Sequence, residues 1–253
     1  MTTKRKTYLN QMLQQIPQGA VVTSVWLKSL GISNDLQQYY KNNEWLQSIG
    51  TGAFSRYGDT PTIRGAVYAL QKQLGSDVHF GAKSALMLHG FNHFVQLEGF
   101  QWFLFSSNKV LQPKWFVKYF ENKKYQWVKS DFLPAELGIT DVHDVFSVQV
   151  STPERAILEM LYLAPNIISL KETFQTLELL VNLRPKLMQE LLENCSSVKV
   201  KRLFLYMAEK INHSWFSEIQ VDKINIGSGK RIITKNGKLD KKYNIVIEDF
   251  GEI

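Results

Sequence analysis

The stretch YYKNNEWLQSIGTGAFSR, residues 39–56, carries the end of a polar helical run and, two residues on, a tight hairpin punctuated by glycine. Trp45–Ile49 reads as a short strand, Gly50-Thr51-Gly52 supplies the positive-φ residues of a tight turn, and Ala53–Tyr57 reads as the returning strand. Upstream, Ser33 is a candidate N-cap for SNDLQQYYKNN, a helix with Leu36 and one or both of Tyr39 and Tyr40 inward and Asn34, Gln37, Gln38 and Lys41 largely outward. In TSVWLKSLGIS, Thr23 can cap a short helix whose Trp26, Leu27 and Leu30 face a core, with Gly31 at its left-handed end. Residues 4–16 place Tyr8, Leu9, Met12, Leu13 and Ile16 at helical spacing, and Pro17 and Gly19 end that run. Three helices, a short Gly-containing turn and a hairpin predict a winged helix-turn-helix over residues 1–60. A hairpin that only closes a small core is the plainer reading of the same residues.

Asp59-Thr60-Pro61 marks a boundary, after which the pattern is mixed. TIRGAVYALQKQLG and AKSALMLHG read as helices around a short strand, DVHFG, and Phe100 to about Val150 is strand-like, with PKWFVKYFENKKYQ ambiguous. Pro153 at the first turn and Glu154 beside it open a helix, and further helices are expected at about 169–182, 185–194 and 197–211. The tail from Glu218 onward reads as strands, with Asn236-Gly237 as a turn signal. The expected fold class is α+β: a winged helix at 1–60 and a larger mixed α/β region at 61–253, with a subdivision near 150 left open.

Composition is that of a folded protein, 44% hydrophobic and 12% aromatic over 253 residues. No apolar run approaches the roughly 20 residues that cross a bilayer, so no membrane role is expected. The single Cys195 excludes an internal disulfide framework, and a cytoplasmic location is expected. The net charge of +7 is unevenly spread: +3 over residues 1–60, −2 over 154–198 and +7 over 199–242. Two basic regions facing an anion, nucleic acid above all, stand against a basic surface that serves only solubility.

No catalytic constellation emerges. GSGKR at 227–231 lacks the spacing of a phosphate loop, with Ile224 and Arg231 where a glycine and a hydroxyl residue belong; a basic turn or a solvated hairpin remains. His89 and His93 are four apart, but Gly90 should end their helix, so no metal and no cofactor is expected. Cys195 has no histidine nearby in sequence, and Glu154 and Glu159, five apart, would not share a helix face. The binding surface is better supported. The amides of Gln37, Gln38 and Asn34 can pair with adenine edges in a major groove, and Lys4, Arg5, Lys6, Lys41 and Arg56 suit phosphates. The same helix and hairpin could instead dock a protein.

The helix-turn-helix and hairpin, PTIRGAVYALQKQLG with DVHFGAKSALMLHG, STPERAILEML, SSVKVKRLFLYMAEK and GSGKR followed by LDKKYNI occur in an order that resembles AbiEi-type antitoxins of type IV toxin–antitoxin systems. The resemblance spans nearly the whole chain. It implies a non-enzymatic protein whose winged helix represses its own operon by binding promoter repeats in double-stranded DNA, as a monomer or a cooperative binder. It also implies a C-terminal domain that counters a toxin resembling a nucleotidyltransferase, with direct contact to that toxin left open. Beside it stand Lys199, Lys201, Arg202, Lys230 and Arg231 as a second basic surface, although an amphipathic helix snorkelling its lysines accounts equally well for 199–202. A stand-alone winged-helix regulator with a ligand- or protein-sensing C-terminal domain is the alternative.

Overall fold

The computed structural model describes residues 16–91 and 100–248. The expected helix at 4–16 apart from Ile16, the phosphate candidates Lys4, Arg5 and Lys6, and His93 lie outside the described residues.

Two short helices and a hairpin form where the sequence places them. Strand β1 (Val22–Thr23) runs into α1 (Ser24–Ser29), whose first turn is capped by the Thr23 hydroxyl accepting from the Trp26 N–H at 3.2 Å. Ser33 caps α2 (Asn34–Asn42) in the same way, accepting from the Leu36 N–H at 3.3 Å. The hairpin pairs β2 (Leu46–Gly50) with β3 (Ala53–Arg56), Leu46 opposite Arg56, and β1 pairs on the other side of β3. Leu27, Ile32, Tyr40, Leu46 and Ala53 fill the small core between helices and sheet. Trp45 does not join them. Read as the first residue of the strand, it instead precedes β2 and is 42% exposed; of Tyr39 and Tyr40 only Tyr40 packs inward, Tyr39 being 47% exposed.

Helix α3 (Ile63–Leu74) is stitched onto this group. The Gln73 amide donates to the Val21 carbonyl at 3.0 Å and accepts from the Thr23 N–H at 2.7 Å. Gly65 lies so close to the Gly19 carbonyl that any side chain there would collide with backbone. The remaining elements are β4 (His79–Phe80), α4 (Ala82–Leu88), β5 (Trp102–Ser106), α5 (Lys114–Tyr119), β6 (Tyr125–Lys129), β7 (Ile139–Val142) and β8 (Val148–Ser151). They are followed by α6 (Pro153–Leu163), α7 (Leu170–Leu179), α8 (Pro185–Asn194), α9 (Val198–Ile211), two 3-10 turns, β9 (Arg231–Ile232), β10 (Lys238–Asp240) and β11 (Ile245–Ile247). A five-stranded sheet has the order β6-β5-β4-β8-β7, with β4 and β8 parallel and Phe80 opposite Val150. The mixed α and β architecture is as expected, with three differences of detail. The tail from Glu218, expected as strands, has 3-10 turns at Ser214–Glu218 and Val221–Lys223 and, among its described residues, no strand before β9. The ambiguous 113–126 stretch contains a helix, begun at Pro113. The turn at Asn236-Gly237 does not join paired strands, because β11 lies between β9 and β10.

Compactness divides the chain into two units, each assembled from several segments. The first joins the residues up to His79 with Phe105–Lys129 and Asp141–Gln149. The second joins Phe80–Leu104, Ser130–Thr140 and the chain from Val150 onward. The first unit thus continues past Pro61 through α3. In the second, α6 is buried nearly all round, packing against α4, α7, α8 and α9.

Candidate nucleic-acid interface

The outward face of α2 follows from its length and period. Tyr40 and Gln37 point into the core, which leaves Asn34, Gln38 and Asn42, spaced by four, exposed along one side with Lys41 beside them. The Gln38 side-chain amide donates to Oδ1 of the Asn42 side chain at 2.9 Å, holding two of these polar groups together. Asp35, also exposed, puts one negative charge in the first turn.

Gln37 requires a correction. It is only 3% exposed, and its amide donates to the Ile32 carbonyl at 3.0 Å while accepting from the Ser24 hydroxyl at 2.8 Å. It bridges α1 to the turn that leads into α2 and presents nothing to a groove. Arg56 is corrected similarly: half-buried, it donates through Nη2 to the Ile16 carbonyl at 2.7 Å, anchoring the segment before β1.

The five residues of the second basic surface do not come together as one surface. The Lys199 ammonium donates to the carbonyls of Tyr162 and Ala164 at 2.7 and 2.6 Å, and burial pulls its pKa below the usual lysine value. Lys201 is buried, and Arg202, 1% exposed, donates to the carbonyls of Ile226, Gly227, Gly229 and Asn244. Lys199 and Arg202 are thus internal hydrogen-bond donors, and Arg202 orders the 226–229 turn. Snorkelling does not describe these two either, since both charges are spent on backbone carbonyls. Lys230 and Arg231 are exposed as expected.

Sequence reading missed a basic group in the first unit. Lys109, Lys114, Lys118, Lys123, Lys124 and Lys129 are all exposed, and Glu121 is the one acid in residues 105–129. Helix α5, which carries two of them, packs on the hairpin: Trp115 lies against Gly50, where a Cβ would come within 2.6 Å of the Trp115 Cβ. A running charge count along the middle of the chain would have found this group.

The discarded catalytic candidates have structural roles. Glu159, fully buried, accepts from the Ala82 N–H, the Ser151 hydroxyl and Arg155 Nε, each at 2.9 Å. Burial pushes the Glu154 carboxyl up, but the side-chain and backbone hydrogen bonds from Arg184, with the nearby Thr152 hydroxyl, outweigh it and hold the pKa below the ordinary value. Burial raises the pKa of the Cys195 thiol, opposite to what a nucleophile needs. Among the described residues no group of three or more His, Cys, Asp or Glu could hold a metal ion, and no helix is long and apolar enough to cross a membrane.

Two family matches cover most of the sequence. Residues 101–248 match the family described as "Transcriptional regulator, AbiEi antitoxin, Type IV TA system", and residues 5–97 match "Transcriptional regulator, AbiEi antitoxin N-terminal domain". The chain belongs to the AbiEi antitoxin family. It is therefore a transcriptional regulator of the antitoxin class, and the α2 face of this AbiEi protein is a candidate DNA-reading surface. No match was found among curated proteins. Among solved structures, the crystal structure of the RV2827C protein from Mycobacterium tuberculosis superposes with a TM-score of 0.60 at 11% identity. That match covers 97% of the AbiEi chain and 92% of the mycobacterial one, and shows a shared fold.

Proposed function

We propose that this AbiEi antitoxin represses its own operon as a winged helix-turn-helix protein, and separately counters a nucleotidyltransferase-like toxin through its C-terminal part. The observation that carries the DNA-reading half is the α2 face: Asn34, Gln38 and Asn42 are polar, exposed and clear of the core, beside a hairpin with an open glycine tip. Side-chain amides on a protruding helix match adenine edges in a major groove. Lys41 and the lysines of residues 109–129 supply cations for phosphates on the same unit. Functionally the division lies near residue 60, with base reading before it and neutralisation after it, the 109–129 lysines being lent to the phosphates from the later part. Repeats in the promoter would offset the few bases that one small helix can reach, by cooperative binding.

The test is binding of the full-length protein to its own promoter region and to random DNA across salt concentrations. Asn34→Ala with Gln38→Ala is expected to erase promoter preference, at about 1–3 kcal/mol per base pair read, while leaving random binding intact. Lys118→Gln is expected to weaken both DNAs and lower the salt slope by about 0.9 for each phosphate that the lysine no longer neutralises. Equal loss on both DNAs for the amide variants would refute the base-reading role. Neutralisation is tested by co-expressing the toxin gene with the same amide double variant: growth rescued without repression separates the two activities, and loss of both at equal protein level overturns the separation.

A further inference from the structure

A pocket of about 400 Å³ opens in the second unit, lined by polar His89, Thr140, Thr152 and Arg184 and apolar Ile139 and Leu187. Two helices begin at its wall. Helix α6, of 11 residues, starts directly after Thr152, and α8, of 10 residues, directly after Arg184. Both open with proline, and neither N-cap residue supplies a side-chain cap; the Glu154 carboxylate accepts from the Arg184 N–H at 2.9 Å, and the other N–H groups of the two first turns leave partial positive charge at the pocket lining.

The side chains add to that field. Arg184 grips the buried Glu154 carboxylate through Nε at 3.0 Å and Nη2 at 2.9 Å, which cancels the acid's charge. Its Nη1 is uncommitted among the described residues, and 61% of the side chain is exposed. Thr152 is only 5% exposed, yet its hydroxyl has no partner at hydrogen-bonding geometry, although it lies near enough to Glu154 to favour the ionised acid. A buried hydroxyl without a well-aligned acceptor is a costly feature, and a ligand in the pocket it lines would relieve it. Gly138 sits against this hydroxyl at φ +72, a conformation that disfavours the side chains that would crowd it.

We propose that this pocket binds the phosphate group of a small phosphate ester. Because Glu154 already occupies the forked edge of Arg184, the remaining donors are separate: one guanidinium nitrogen and the hydroxyls of Thr152 and Thr140. Separate donors suit a tetrahedral oxyanion better than a planar carboxylate, which favours a paired fork. The volume exceeds that of phosphate alone, and Ile139 and Leu187 give an organic portion an apolar wall. The proposal is independent of the DNA-reading face, which belongs to the other unit.

The test titrates the full-length protein with inorganic phosphate and with ribose 5-phosphate, at constant ionic strength, by calorimetry and amide NMR. The expected result is shifts at Thr152 and Arg184, tighter binding of the ester, and an affinity about tenfold weaker in Thr152→Val, which removes the hydroxyl while nearly keeping its shape. Equal affinity for the two ligands would overturn the ester part and leave a phosphate site. Titration that leaves Thr152 and Arg184 unshifted, or that is unchanged in Thr152→Val and abolished in Lys118→Gln, would place the anion on exposed lysines and overturn the proposal.

Discussion

Gln37 shows how far a residue's chemistry can mislead when its burial is unknown. An amide on the second helix of a helix-turn-helix suits base reading, and nothing local distinguishes Gln37 from Gln38. What distinguishes them is a hydroxyl 13 residues upstream, on Ser24, and the Ile32 carbonyl, both met only when α1 and α2 have packed. Gln37→Ala is therefore expected to cost about 1–3 kcal/mol of stability, seen in urea denaturation, with promoter preference retained by the folded fraction. Glu154 is a second residue whose role depends on burial. Arg184 holds its carboxyl below the ordinary 4.5, so the pair contributes fully above about pH 4.5 and the contribution fades as pH falls through the lower folded-state value. The stability gap between the wild type and Glu154→Gln should thus be widest at neutral pH and narrow in acid. A gap that grows below pH 4.5 would contradict the ion pair.

At the scale of elements, caps and periods were legible and long-range partners were not. Thr23, Ser33 and Thr62 each cap the helix that follows, because a side-chain oxygen ahead of a helical run is a local signal. Helix α5 was obscured by its aromatic residues, which suit a strand equally well, and by being only six residues long. Lys199 and Arg202 of α9 looked like part of an outward stripe because their partners, the carbonyls of 162 and 164 for the lysine and those at 226–229 and 244 for the arginine, are backbone groups that sequence cannot reveal. Within the hairpin, the two turn glycines do different work. Gly50 makes room for Trp115 of α5, whereas Gly52 has open space around it and is needed only for its φ of +74. Gly50→Ala should destabilise the protein by about 1–3 kcal/mol through the clash, and Gly52→Ala by about 1 kcal/mol through backbone strain. Thermal melts of the two variants would test that order.

Across the whole molecule, the proposed functional boundary near residue 60 and the packing of the chain differ. The helix-turn-helix and hairpin lean on α3 through Gln73 and Gly65, and on α5 through Trp115, so residues 1–60 lack the partners that complete their core. A fragment of residues 1–60 is expected to show no cooperative melt by circular dichroism, and a sharp transition would overturn this. The first unit also draws on residues 105–129 and 141–149, on the far side of intervening chain that belongs to the second. That interleaving has a consequence for synthesis. The first unit, to which DNA reading is assigned by proposal, cannot close while the nascent chain ends at Leu104, because its last segments have not yet been made. If the protein represses its operon as proposed, repression would begin only once more than half of the polypeptide has emerged, and a product terminated before Asp141 would leave the operon open.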